Sequence, residues 1–420
     1  MPSMPSLRKN IASLYGVQIA AYVAPLVTLP WLTRVLGPDG YGQIAFCNAV
    51  TSYFVLFADY GFNFSATRAV ALHAADRSGR SKVFWNTLVA KSLLAVAGFP
   101  CLLLLTFLSG HFAAERSLLM ITFLVVVGTV LTPTWYFQGT ERQTVLSAIT
   151  ITVRLLSVPA VFVFVRSAQD VHLAALISSA LPAIGGVLCM IFLYRDGQLE
   201  QFRFDSRELV RVLRDGWHLF VSTASISLYG ATNSVVLGLL AGHAAVGHYS
   251  AAEKLVQAAQ GLLLPINQSV FPRVSRLFGE SRESAFALIR KVLRIQGSVA
   301  LSLSLALLAV APVLIRLVFG SQYEATIDVL RWLALLPFLV GLSNVLGIHT
   351  MIAMGMNKVV SRILVSAGAI NLVLLLVLAP RFGAVGAAMS VVVTEFFVTA
   401  TMATVLQRSN VPIFRVPAAT

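Results

Sequence analysis

The sequence predicts an all-α, polytopic membrane protein with twelve transmembrane helices in two six-helix lobes around a central cavity. Composition, the spacing of apolar runs and an internal repeat predict it. Of 420 residues, 57% are hydrophobic and only 11% charged, with a mean hydropathy of +0.83, against about 25% charged in soluble domains. A spanning helix needs roughly 20 apolar residues. Such runs occur near 11–33, 41–62, 84–108, 117–137, 144–165, 172–194, 216–240, 249–271, 295–315, 327–351, 363–380 and 386–406. An outer-membrane barrel would instead show alternating segments of about ten residues.

The net charge of +14 is a topology signal. With the amino terminus inside, the inner tails and loops hold most of the basic residues, Arg8, Arg68, Arg77, Arg203 and Arg282 among them, while the outer loops hold only Arg34, Arg116, Arg166, Arg316 and Arg381. The positive-inside rule therefore places both termini in the cytoplasm, and nucleic acid is not needed to explain the charge. The first apolar run continues to spanning length instead of ending at a small-residue cleavage site, so no cleavage is expected. Cys47, Cys101 and Cys189 all fall inside spans, where thiols act as small apolar residues. His243 and His248 share one outer loop without a carboxylate or thiolate beside them. Neither a metal nor a cofactor is expected, and no catalytic constellation is visible.

Repetition gives the two lobes. A shift of 205 positions lays Gly37 on Gly242, Gly42 on Gly247, Lys9 on Arg214, Arg68 on Arg273 and Arg77 on Arg282. The expected division is a first lobe over 1–194, a cytoplasmic link over 195–215 and a second lobe over 216–420. Six crossings return the chain to its starting side, so a pseudo-twofold axis would run along the membrane normal.

Faces and buried charges mark the candidate site. On helix 8, Glu253, Lys254, Gln257, Gln260, Asn267 and Gln268 share an arc of about 140° at 100° per residue, opposite Leu255, Val256 and Leu263. Helix 7 offers Tyr229, helix 1 Tyr22, and helix 2 Asp59. Ionisable groups at membrane depth usually mark pathways or partners. Arg154 and Glu395 lie near the middles of helices 5 and 12, whereas Lys91 is close enough to an end to snorkel. Asp328 and Arg331 are spaced to pair on one helix.

The opening "LRKNIASLYGVQIAAYVAPLVTLPWLTRVLGPDGYGQIAFCNAV" resembles the start of the bacterial O-antigen flippases, the Wzx-type polysaccharide transporters. "PTWYFQGTER", "DGWHLFVSTASISLYG", "QGLLLPINQSVFPRVSRL" and "LPFLVGLSNVLGIHTMIAMG" continue the resemblance along the chain. It implies the fold of the multidrug/oligosaccharidyl-lipid/polysaccharide exporter superfamily in the bacterial inner membrane, and no enzyme activity. The implied substrate is an O-antigen oligosaccharide on undecaprenyl diphosphate, moved by alternating access and coupled to a proton or sodium ion. An O-antigen polymerase and a chain-length regulator are the implied protein partners. On this reading Arg154, Lys254, Lys91 and Arg331 would meet the diphosphate. Gln257, Gln260, Asn267, Tyr22 and Tyr229 would meet sugar, while Glu395, Asp59 and Glu253 would carry the coupling ion. The alternatives are a multidrug or other lipid-linked-glycan exporter of the same superfamily and, further off, a membrane glycan polymerase, which needs a larger outer loop than any here.

Overall fold

Helices account for nearly all of the chain between Leu7 and Ile413, the range that the computed structural model describes. Side chains are described throughout that range except at 7–26, 215, 218, 219, 221–229 and 268. In order, the first elements are α1 (Leu7–Asp59), α2 (Phe62–Leu72), α3 (Arg77–Leu108), α4 (Gly110–Ala114), α5 (Arg116–Thr122), α6 (Leu124–Leu131), α7 (Thr134–Gly139), α8 (Gln143–Phe164) and α9 (Val171–Arg195). Then follow α10 (Ser206–Gly261), α11 (Leu264–Glu280), α12 (Arg282–Val318), α13 (Thr326–Leu333), α14 (Leu336–Asn344), a π-helix (Val345–Ile352) and α15 (Asn357–Arg408). Among the described residues, eight helical stretches are long and apolar enough to cross a membrane. The protein is a multi-pass membrane protein.

The sequence predicts polar breaks of several residues between helices 1 and 2 and between helices 7 and 8. Single glycines replace them. Gly37 (φ 70°, ψ 176°) interrupts α1, and Gly242 (φ 82°, ψ 175°) interrupts α10 with nearly the same backbone. A side chain at such positive φ is disfavoured, so glycine lets helix run up to the break from both sides. The two positions are 205 residues apart, as are Arg77 and Arg282, which open α3 and α12. The offset of 205 thus relates these backbone features as it relates the matched residues.

The chain forms two compact units, Leu26–Leu239 and a second made of Met1–Pro25 with Leu240–Thr420. The segment 216–239, which the repeat assigns to the second half, packs in the first unit. Tyr53 Oη meets Thr232 Oγ1 at 3.0 Å, and the rings of Tyr60 and Phe220 stack at 4.9 Å. Its position follows from the link before it, which is tied to the start of α3. Arg77 donates to Leu199 O (3.0 Å), Trp85 to Glu200 O (3.1 Å), the Glu200 amide to Ser81 (2.9 Å) and the Asp205 amide to Asn86 (3.2 Å). Lys82 pairs with Asp205 at 3.2 Å, and Arg142 pairs with Asp196.

Each unit has its own core. Phe62, Val70, Phe84, Trp135, Tyr136, Phe137 and Leu193 centre the first. Val274, Ile289, Val345, Met351 and Met402 centre the second. Phe84 and Ile289 are again 205 positions apart.

Candidate functional site

The first unit's polar centre is built where α1 ends. Tyr60 (φ 43°) and Gly61 (φ 76°) take left-handed backbone in succession, and the helix resumes at Phe62. The break leaves Asp59 at a free helix end, directed toward α3. Its Oδ1 accepts from Lys91 Nζ at 2.8 Å, and Oδ2 accepts weakly from Asn63 Nδ2 at 3.4 Å. Lys91 also donates to Thr129 O at 2.8 Å and is only 1% exposed. An unpaired ammonium so deeply buried would be destabilising by several kcal/mol. The Asp59 carboxylate offsets that penalty, so Lys91 is turned inward instead of snorkelling to the surface. Lys91, expected to meet the substrate diphosphate, is held as the counter-ion of Asp59.

Asp59 itself is more open, with a side chain 26% exposed. It lines a cleft of about 260 Å³ together with Ser52, Val55, Leu56, Gly61, Asn63 and Phe64.

At the corresponding place in the second unit stands Gln296, 205 positions after Lys91 and fully buried. Its Nε2 donates to Asn267 Oδ1 at 2.9 Å and to Gly341 O at 3.3 Å, as Lys91 donates to Asp59 and Thr129 O. His349 Nε2 also meets Asn267 Oδ1, at 3.2 Å, and sits on the π-helix, a geometry frequent at functional sites. Gln296 Oε1 and His349 Nδ1 are buried without a partner among the described residues. The repeat offset was the one sequence signal that could have found Gln296. The two halves therefore share one hydrogen-bond plan, charged in the first and neutral in the second.

The other sequence candidates are placed as follows. On helix 8, Leu255 and Val256 are buried while Lys254 and Gln257 are exposed, with Lys254 Nζ donating to Gln257 Oε1 at 3.3 Å. Glu253 and Gln260 are half-buried beside them. Arg331 is paired with Asp328 at 3.1 Å, as their spacing predicts. Arg154 is exposed, in one exposed run of α8 with Leu155 and Leu156. Glu395 is half-buried and has no ion pair among the described residues. The side chains of Tyr22, Tyr229 and Gln268 lie outside the described residues. Among the described residues no three His, Cys, Asp or Glu side chains gather as a metal site, and His248 meets Thr326 Oγ1 at 2.8 Å.

Comparison with known proteins places this architecture. Residues 7–278 match the family model described as "Polysaccharide biosynthesis protein", and a relative from Escherichia coli (strain K12), named "Putative O-antigen transporter", is 34% identical over 94% of this chain and 96% of its own. The chain belongs to this polysaccharide biosynthesis family. A relative of the same name from Shigella dysenteriae is 30% identical over 93% of this chain and 98% of its own. Solved structures share the fold. An inward-facing multidrug resistance MATE family transporter of the MOP superfamily superposes with a TM-score of 0.72 at 14% identity, covering 97% of this chain and all of that one. The lipid II flippase MurJ in an inward closed conformation gives 0.71 at 12% identity, covering 94% and 87%. The matched family members carry transporter names, and the fold is a transporter fold.

Proposed function

We propose that the protein is a flippase of the bacterial inner membrane that moves undecaprenyl-diphosphate-linked O-antigen oligosaccharides from the cytoplasmic to the periplasmic leaflet by alternating access. The observation that carries this reading is the full-length match to relatives named as O-antigen transporters, on a fold shared with a lipid II flippase. Twelve crossings in two repeat-related lobes, with both termini cytoplasmic, complete the reading.

Within it, the polyprenyl tail stays in lipid while the diphosphate and sugars pass through the protein. Arg154 and Lys254 are exposed cations within predicted spans, and Gln257, Gln260 and Asn267 supply amides to sugar. Tyr22 and Tyr229 offer ring faces, and Arg331 contributes when released from Asp328. Asp59 is the coupling carboxylate of first choice because it lines a cleft and is backed by a buried cation, with Glu395 and Glu253 as further acids. A proton or sodium ion arriving at Asp59 would compete with Lys91 for the carboxylate. An O-antigen polymerase and a chain-length regulator receive the product on the outer face.

Deletion in the native bacterium, with analysis of lipid-linked intermediates, tests the reading. Loss of surface O-antigen with repeat units retained on the cytoplasmic face, restored by the wild-type gene, is the expected result. Accumulation of single repeat units capped onto lipid A would point to a missing polymerase and overturn it.

A further inference from the structure

The family-like stretch "TWYFQG" has no role in the site described above. Its geometry supplies one. Trp135, Tyr136 and Phe137 are buried in the core of the first unit, so α7 is anchored by its middle. Thr134 and Gln138, one turn apart on the same side, instead line a second cleft of about 360 Å³ with Asn63, Phe64, Thr67, Arg68 and Ala71. Gly139 sets the closeness of the two walls. A Cβ there would come within 2.8 Å of Thr67 O and of Val70. Thr67 Oγ1 lies 3.3 Å from Gln138 Oε1, which leaves the Gln138 amide N–H groups to the cleft.

This cleft shares Asn63 and Phe64 with the one that Asp59 lines, so the two adjoin at the start of α2 as a trough of two parts. Its electrostatics are one-sided. Asp59 is neutralised by Lys91, whereas Arg68 is exposed and has no carboxylate partner among the described residues. The other polar side chains of this cleft, Thr67, Thr134, Gln138 and Asn63, are neutral groups that can donate as well as accept. An unpaired guanidinium among neutral donors suits a phosphate bearing a sugar. Phe64, 63% exposed, presents a ring to the apolar face of a sugar or to a lipid tail.

We propose that this trough docks the phosphorylated sugar end of the lipid-linked substrate, with Arg68 on the diphosphate and Thr134, Gln138 and Asn63 on the first sugar. The proposal rests on the flippase reading and adds to it an entry subsite separate from Arg154 and Lys254. Its polarity orients the ligand. The diphosphate seats at the Arg68 end, and the glycan runs toward Asp59 and Ser52.

The test is equilibrium binding of two probes, farnesyl diphosphate and farnesyl diphosphate bearing one sugar, to the full-length protein in phosphatidylcholine nanodiscs. Arg68→Gln should weaken both probes about tenfold to a hundredfold, on the usual strength of a charged hydrogen bond, and Arg68→Lys should recover part of that loss. Gln138→Ala should weaken only the glycosylated probe, and Arg166→Gln should change neither. Wild-type affinity in Arg68→Gln, or equal losses in Arg68→Gln and Arg166→Gln, overturns the proposal. Displacement of both probes by phosphatidylglycerol also overturns it, since the trough would then hold any anionic headgroup. Absence of saturable binding by the wild type does the same. Those failures leave the flippase reading standing so long as the wild-type gene restores surface O-antigen to the deletion strain, and failure of that restoration removes the reading itself.

Discussion

Removing either partner of the Lys91–Asp59 pair should have unequal effects, because the two ends of one 2.8 Å contact differ in exposure. Lys91 is 1% exposed, and its only other acceptor among the described residues is Thr129 O. Asp59→Ala therefore leaves an ammonium inside the unit with one neutral acceptor, a loss of about 3–5 kcal/mol for a broken buried pair. Lys91→Met fills a similar volume and leaves Asp59 on a cleft wall, still near Asn63 and open to water. That is the smaller penalty of an imperfectly satisfied polar group, about 1–2 kcal/mol. The difference of about 2 kcal/mol corresponds to roughly 4–8 °C in thermal midpoint for a unit of this size. Thermal unfolding of purified variants in one detergent, read alongside membrane abundance, measures it. The double variant Lys91→Met with Asp59→Ala should be more stable than Asp59→Ala alone, since no buried charge remains. Equal losses in the two single variants, or additive loss in the double, would refute the reasoning.

Three further outcomes follow from the same structure. The bonds from Lys82 to Asp205 and from Arg142 to Asp196 hold both carboxyls below the usual carboxylate range. Their contribution is therefore present above the ordinary carboxylate pKa and lost as pH falls through the lowered folded values, so amide protection over 196–205 should decline from about pH 4 downward. Hydrogen exchange reads this, and an unchanged pH profile in the Asp205→Asn, Asp196→Asn double variant would contradict it. Gly128→Ala would drive a methyl to 2.5 Å from the backbone of Pro182 and Ala183, whereas Gly185→Ala meets nothing within 4 Å. The first should lose about 1–3 kcal/mol by overpacking and the second almost nothing, so equal expression and melting of the two would be the adverse result. Finally, Glu395→Gln should insert at normal levels yet make export insensitive to the ion gradient. Gradient-dependent export at the wild-type rate would return Glu395 to a packing role.

Hydropathy alone marked the chain as a multi-pass membrane protein, because burial in lipid is a property of each apolar run taken by itself. Gly37 and Gly242 were legible as a matched pair at the repeat offset, but that each alone breaks a helix at positive φ came from the backbone. Asp328 and Arg331 could be paired from spacing, because both partners lie on one helix. Contacts between helices were not legible in this way. Periodicity gives a helix its own polar face but says nothing of which neighbour meets that face, so the sequence left Lys91 as either a snorkelling anchor or a diphosphate ligand, and its pairing with Asp59 and Thr129 O came from the tertiary structure. The ties of 196–205 to α3 run mostly through backbone carbonyls and amides, which any sequence possesses. Gln296 and His349 are uncharged residues in apolar surroundings, and only the tertiary structure, by closing Asn267 onto both, made them a site.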